Sequence, residues 1–511
     1  LITWYYDLRS NYLSHTRVKR CGEFLHMVHV AANRSMVRSI QQIGAMLSAE
    51  VREDVFIPML CSYNAAKHNN ISDIEKYHML VEKDSKKSAL IAPMVFTAMA
   101  SMKLETTISV GIPAPAYQVI LAEEPLAPAT DTVENPTNRA VGPPVVANGG
   151  PSPMESYTND LATVAMRVVE PHNTLVPGEE YARFASEFVE LIVDKRVRGR
   201  GVPWQASEVI EQQDRPMQRH RSELQRHWLS DHTSLKCFQK KETYGKVAAP
   251  RNITTTPARH TVGLSCFTYP FKKINLVRCK FYMPCLTPVE TVTAVRGYLQ
   301  NRASVDSTDY SSFDGTNSRW LRTHVELAAY LLFFGREYHT EIRKYFNAEF
   351  NARARTRHGV KYCPDGSRLS GSPLTTDGNT MLNAFASYCG YRLGGMAPFK
   401  AYKMIGPKYG DDSIEDVSCL LDRVCNDIGF KIKHDVRERG SPLPFLGRVF
   451  INPWLSDRSV QDPLRTMIKI HQGFPDGRCT PEQMLANRCR GYAVTDSDTP
   501  IIGNYIRKVL S

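Results

Sequence analysis

The sequence predicts an α+β fold on three observations. A run with strand character at 303–308 ends on Asp309. The acidic cluster GPKYGDDS at 406–413 carries the Gly and Asp residues of a tight hairpin, which would put Asp411 and Asp412 at its tip. Between the two, Met381, Leu382, Phe385 and Tyr388 recur at helical spacing behind a Ser/Gly loop, with Asp377 at the expected helix start.

At 511 residues the chain is long enough for several packed subdomains around a large core. Its 42% hydrophobic and 23% charged residues are ordinary for a globular protein. A net charge of +12 suits a polyanionic partner such as nucleic acid, although it also describes a generally basic surface. The 12 cysteines form no C-x2-C pair, so reduced thiols are expected, with Cys266, Cys279 and Cys285 in the core and no zinc site. No apolar run approaches the roughly 18–20 residues that span a bilayer. The longest candidate, 327–335, reads as a buried helix. Because the chain begins at Leu1, we expect a segment of a longer polypeptide.

Taken in order, residues 1–112 show no chemical constellation. Residues 37–47 have helical spacing, and His26, His29 and His68 lack the spacing of metal ligands. Nine prolines between Pro113 and Pro153 predict an extended linker that sustains neither helix nor ladder. Helical periodicity returns over 155–200, with Tyr181, Phe184, Phe188 and Leu191 on one face and the basic run KRVRGRG closing it. Residues 206–212 and 218–229 read as further helices. The stretch CFQKKETYGKVAAPRNIT at 237–254 gathers Lys240, Lys241, Lys246 and Arg251 along strand-like segments either side of Gly245. Cations so placed can steer and hold a triphosphate, while a basic surface loop is the plainer alternative.

Further on, Trp320, Leu321, Val325, Ala328 and Leu332 predict a helix, and the tract ARARTRHGVKY at 352–362 offers sequence-independent phosphate contacts. Residues 401–405 read as a strand leading into the hairpin. Residues 417–428 predict a helix stopped by Gly429, and FKIKH a strand. Residues 462–511 read as a mostly helical end carrying Arg465 and Lys469.

Phosphoryl transfer needs positioning and charge stabilisation more than covalent help, and a pair of hard cations about 3.5–4 Å apart supplies both. Carboxylates on neighbouring strands can hold such a pair. Asp309 and Asp411 are the candidate ligands, with Asp412 beside them and magnesium the ion that oxygen-only ligation favours. Asp314, five residues after Asp309, and Asn379, in the first turn of the predicted helix, can hydrogen-bond a ribose 2′ hydroxyl. Ser370, Gly371 and Ser372 form a loop whose backbone can approach a template or nucleotide closely. Singly, such motifs are usually surface turns, strand ends or loops. In this order and spacing they read as a nucleotide-polymerising centre.

The segments DSTDYSSFDGTNS, SGSPLTTDGNTMLN and GPKYGDDS resemble motifs A, B and C of viral RNA-directed RNA polymerases. With MIGPKYGDD, PFLGRVFINP at 444–453 and VQDPLRT at 460–466, the chain is most similar to the nodavirus replicase family, from about Val202 to the C-terminus. The resemblance implies a right-hand polymerase with fingers, palm and thumb, the palm a small antiparallel sheet backed by helices. Its divisions would be a capping-region tail or connector at 1–112, a Pro-rich linker at 113–153, and fingers at 154–300. The palm, with motifs A to E and an inserted fingers segment, would occupy 301–450, and the thumb 451–511. The 237–254 stretch looks like motif F, DRPMQR resembles motif G weakly, and PFLGRVF looks like motif E, a turn that would support the primer strand and offer Arg448 to a phosphate.

On this resemblance the reaction is template-directed addition of ribonucleotides to an RNA 3′ end, copying a positive-strand genome. Asp309, Asp411 and Asp412 would hold two Mg2+ ions, which Mn2+ could replace. Asp314, Ser370, Gly371, Thr375 and Asn379 would contact the nucleotide, Lys240, Lys246 and Arg251 the triphosphate. Lys433, the motif D lysine, would protonate the leaving pyrophosphate. Implied partners are RNA template and product, ribonucleoside triphosphates, and further copies in a membrane-bound replication complex. That complex is expected in the host cytoplasm, on the cytosolic face of the mitochondrial outer membrane, held by an upstream anchor outside this chain. Two other readings share some features: a reverse transcriptase, for which Tyr409 gives a similar hairpin tip, and a non-catalytic RNA-binding scaffold.

Overall fold

The structure is a computed structural model. It describes residues 150–511 apart from 154, 214–217, 220–221, 223–234, 241 and 474–478, and, before them, 18–21, 23–30, 36–43, 48–52, 54–56, 60, 85–101, 108–109, 116–118 and 139–142. The chain forms two compact units, one of Leu1–Ala162, Lys241–Pro250 and His471–Pro481, the other of Thr163–Lys240, Arg251–Ile470 and Glu482–Ser511.

In the first unit, four antiparallel strands (Val18–Cys21, Phe24–Val30, Met36–Gln42 and Ser48–Arg52) pair in sequence order. The helix Ser85–Ser101 and the sheet share a core that includes Phe24, Ile40, Val51, Phe56, Val95 and Met99. The helical spacing read over 37–47 is therefore a strand in its first half. Val37 and Ile40 satisfy either period at so short a length, and pairing on both edges decides for the ladder. The Pro-rich stretch does sustain short ladders: Ala116–Gln118 pairs with both Ile108–Ser109 and Ser152–Pro153, and Arg139–Ala140 with Gln472–Gly473. Proline is tolerated there because the pieces are two or three residues long and need few amide donors.

Asp309 and Asp412 of the second unit stand on an antiparallel sheet. Its central strand, Ser304–Tyr310, pairs on one side with Asp412–Asp416, placing Thr308 opposite Ser413. On the other side it pairs with Ile432–Lys433 and Val436–Glu438, placing Asp309 opposite Lys433. Lys408–Tyr409 completes the outer edge against Asp412–Asp416. Period-two alternation buries Thr308 and Tyr310 and leaves Asp309 exposed between them.

Helix Thr375–Leu393 is buried continuously from Asp377 to Tyr391. It shares a core with the helices Glu179–Ile192 and Leu421–Ile428, where Phe184 and Phe188 meet Phe385 and Tyr388. The expected helix after Asp314 runs from Arg319 to Phe333 with a π-helical turn at Arg322–Leu327, a distortion that recurs at functional sites. Strands Leu235–Gln239 and Asn252–Thr255 form the antiparallel pair expected around the basic stretch. The 352–362 tract adds Ala354–Thr356 and Lys361–Tyr362 to the same sheet.

Several sequence expectations change here. Residues 401–404 belong to a helix, Pro398–Met404, which Pro398 suits as a first helical residue; the strand before the hairpin is only Lys408–Tyr409. The helix before Gly429 starts at Leu421. Cys279 is buried and Cys266 half-buried, but Cys285 is exposed. The helix read at 218–229 and the motif G-like DRPMQR lie almost wholly outside the described residues.

Candidate active site

The carboxylates meet at one end of the sheet. Tyr409 pairs with Asp412, so Gly410 and Asp411 form a two-residue turn, and Gly410 takes φ +61, a conformation open to glycine at little cost. One step beyond the Thr308–Ser413 pair stand Asp309 and Asp412 on adjacent strands. Asp411 is exposed to solvent and Asp412 half-exposed, yet protein atoms crowd both carboxyl groups. Burial raises the Asp411 carboxyl, and the charges of Asp314 and Asp309 raise it further against the pull of Arg251. Burial pushes Asp412 up to about 7, helped by Asp411 and Asp309 and opposed by Arg465 and Arg251. Four acidic side chains thus share one field, and Arg251 acts on two of them.

Lys433 Nζ is 3.4 Å from Asp309 Oδ2, with both side chains more than half exposed. Its strand is clamped to the central one by Asp306, which accepts from the His434 ring and, at 2.9 Å, from the Asp435 amide. Burial would lower the His434 ring, but its bonds to Asp306 and Asp422 outweigh that and raise it.

Asp314 lies in the short helical turn Phe313–Thr316, four residues beyond Tyr310, the end of the strand. Its two oxygens accept from Ser370 Oγ at 2.5 Å and Asn379 Nδ2 at 2.7 Å. The Asn379 carbonyl oxygen in turn accepts from Asn317 Nδ2 at 2.9 Å and Arg368 Nε at 3.0 Å, which fixes its amide with the nitrogen toward Asp314. Three of the predicted nucleotide contacts are therefore one hydrogen-bonded group. Gly371 does make a close approach, to protein: its N–H donates to the Thr254 carbonyl at 3.1 Å, and a Cβ would sit 2.4 Å from that oxygen. Thr375 donates to the carbonyls of Leu369 and Ser372, at 2.9 and 2.8 Å, so its hydroxyl closes the loop from within.

Behind this loop lies a buried charge network that sequence reading missed. Arg322 donates to Glu326 at 3.3 Å and Glu349 at 2.6 Å, Arg368 pairs with Glu326, and all four side chains are fully buried. Ser372 Oγ donates to Glu349, which ties the loop to the network. Asp377 is buried as well; it accepts from Tyr282 OH at 2.5 Å, and Lys272 Nζ lies 3.8 Å away.

Other basic side chains are occupied elsewhere. Arg448, expected to offer itself to phosphate, is held by Asp496 at 3.0 Å and by Ser459. In the KRVRGRG run, Arg196 pairs with Asp194, and Arg198 donates to the carbonyls of Val193 and Glu190 at the end of the Glu179–Ile192 helix. Lys240 shares the second unit with the carboxylates, its amide donating to the Arg251 carbonyl at 2.8 Å, whereas Lys246 belongs to the first unit.

The donor set fits magnesium: it is all oxygen, and burial together with the neighbouring carboxylates raises both Asp411 and Asp412, an imbalance that a divalent cation would offset. Among the described residues no three His, Cys, Asp or Glu side chains enclose an ion by themselves. Mg2+ bound through one or two carboxylates, water and substrate phosphate needs no such cage.

No protein-family model matches the chain. It is 34% identical over 512 residues to the RNA-directed RNA polymerase of greasy grouper nervous necrosis virus, covering 98% of this chain and 51% of that protein. It is 36% identical over 492 residues to the enzyme of that name from Pariacoto virus, covering 94% and 48%. For Nodamura virus the figures are 31% over 385 residues, 73% and 36%. The chain spans about half the length of the first two of these relatives. Among solved structures, the RNA-dependent RNA polymerase of a human picorbirnavirus is similar with a TM-score of 0.55 at 12% identity, covering 71% of this chain and 75% of that one. Its insertion-loop deletion mutant is similar with a TM-score of 0.56. The α+β fold is thus that of viral RNA-dependent RNA polymerases, and by sequence the chain belongs to the nodavirus RNA-directed RNA polymerase family.

Proposed function

We propose that this chain carries the polymerising centre of an RNA-directed RNA polymerase, adding ribonucleotides from triphosphates to an RNA 3′ end on an RNA template. The observation that carries the reading is the meeting of Asp309, Asp411 and Asp412 in one electrostatic field with Asp314, itself joined to Asn379 and Ser370. Divalent magnesium, when bound, would activate the attacking 3′ hydroxyl and offset charge on the leaving pyrophosphate.

The protein side chains supply the rest. Asp309 and Asp411 are the cation ligands, and Asp412 assists. Arg251, whose charge reaches Asp411 and Asp412, would hold triphosphate at the same spot, with Lys240, just past the strand Leu235–Gln239, joined to it through the backbone. Lys433, beside Asp309, is the candidate proton donor to pyrophosphate. The Asp314–Asn379 pair presents polar groups where a ribose 2′ hydroxyl can bind, whereas a site that rejects that hydroxyl would present bulk. This favours a polymerase of RNA over a reverse transcriptase. Intact carboxylates argue against a scaffold without activity.

A place on the mitochondrial outer membrane among further copies of the chain rests on the family resemblance alone. Among the described residues no helix is long and apolar enough to cross a membrane. The function is tested by offering the protein paired RNA and DNA templates with labelled ribo- or deoxyribonucleoside triphosphates and Mg2+. Ribonucleotide incorporation on RNA is expected; preferential deoxyribonucleotide incorporation would instead indicate a reverse transcriptase.

A further inference from the structure

The Gly410–Asp411 turn has four backbone hydrogen-bonding groups, and three of them are bound by two side chains of one helix. Thr380 Oγ1 accepts from the Gly410 N–H at 2.9 Å. Asn383 Nδ2 donates to the carbonyls of Gly410 at 3.1 Å and Asp411 at 3.2 Å. Both side chains are fully buried, within the stretch Asp377–Tyr391 that lies in the interior.

Their polarity is set from behind. The Thr380 hydroxyl donates to the Thr376 carbonyl at 2.7 Å, leaving a lone pair for Gly410. The Asn383 oxygen faces Tyr310 OH at 3.5 Å, at the limit of a hydrogen bond, leaving its two N–H groups for the turn carbonyls. A two-residue tip that bears neighbouring carboxylates experiences like-charge repulsion pushing it outward, and the pairing of Tyr409 with Asp412 restrains only its base.

We propose that Thr380 and Asn383 are positioning residues that hold the Gly410–Asp411 turn, and through it the Asp411 carboxylate, in place for a divalent cation. The inference rests on the metal-ligand role proposed for Asp411. It adds that the helix whose Asn379 is bonded to Asp314 also sets the metal ligand, one residue and one turn farther along. Sugar recognition and cation placement then share one rigid mount.

The test is Mn2+ binding to the whole chain, followed by electron paramagnetic resonance of the free ion without RNA or nucleotide. Thr380→Val and Asn383→Leu keep shape and remove the bonds; Thr380→Ser keeps the hydroxyl. Thr380→Val, which removes one hydrogen bond to the turn, should weaken Mn2+ binding about five- to tenfold, Asn383→Leu, which removes two, at least as much, and Thr380→Ser should stay within about twofold of wild type. On an Asp411→Asn background Thr380→Val should have no further effect, since it acts through that carboxylate. Wild-type affinity in Thr380→Val would overturn the inference, as would an equal loss with and without Asp411. If Asn383→Leu fails to fold, the Thr380 pair decides alone. A wild type that binds Mn2+ as expected yet incorporates no nucleotide would contradict the polymerase reading and leave the positioning role standing.

Discussion

Replacing Arg322 with methionine is the sharpest probe of how the site is supported. The side chain is fully buried; it donates to Glu326 at 3.3 Å, Glu349 at 2.6 Å, and the carbonyls of Gly366 and Ser367 at 3.1 and 3.2 Å. Methionine fills much the same volume and removes one positive charge and all four bonds. Glu326 keeps Arg368, while Glu349 keeps His260 and Ser372, so the remaining cluster carries one more negative charge in the interior. Removing one partner of a buried pair costs about 3–5 kcal/mol, a large part of the stability of an ordinary domain.

The pH dependence follows from Glu349. Burial alone would raise its carboxyl, but the His260 bond and the Arg322 charge prevail and hold it below the ordinary range. Such a carboxylate stabilises the fold at pH above its unfolded value near 4.5 and loses that contribution as pH falls. Without Arg322 the carboxyl rises and that contribution shrinks. The deficit of Arg322→Met should therefore be wider at neutral pH than at about pH 4, below the unfolded value, where the wild type begins to lose the same contribution. Urea unfolding followed by tryptophan fluorescence at the two pH values measures it. A loss under about 1 kcal/mol at neutral pH, or a deficit that grows on acidification, would refute the reasoning.

Three further outcomes are expected. Asp314→Ala and Asn379→Ala should each reduce the preference for ribo- over deoxyribonucleotides in single-nucleotide incorporation; an unchanged ratio would remove their role in sugar choice. Arg251→Ala should raise the nucleotide KM more than it lowers kcat, because the lost charge acts on the bound triphosphate, and steady-state kinetics separate the two. Lys433→Leu should lower kcat about a hundredfold or more with little change in KM if it gives a proton in the transition state, and a kcat within twofold of wild type would count against it.

Much of the site was legible because its residues stand at element boundaries with distinctive local chemistry. Asp309 falls on the exposed phase of a strand, and the Gly-Asp-Asp tip has the residues a two-residue turn demands. What escaped sequence reading is the buried polar support. Helix Thr375–Leu393 is interior on all sides from Asp377 to Tyr391, so its apolar residues alone pointed to one buried face and gave Thr380, Asn383 and Ser387 no role. Their spacing of three and four was the available signal, a polar line on a helix otherwise rich in apolar and small residues. Arg322 and Glu326 at i and i+4 likewise look like a surface pair, and only tertiary burial makes them a core device. Net charge misled in the other direction: Arg196, Arg198 and Arg448 look available for phosphate, yet acids and carbonyls within the fold hold them.

The carboxylate turn is the feature on which the proposed template-directed polymerisation of RNA depends. The most direct measurement is labelled ribonucleotide incorporation on a short RNA template with Mg2+, wild type beside Asp411→Asn, with RNA binding measured for both. Template-dependent product from the wild type, near-complete loss in the variant and equal RNA binding are predicted. Normal turnover by Asp411→Asn would contradict the metal-ligand assignment. RNA binding with no product from either protein would contradict polymerisation by this chain.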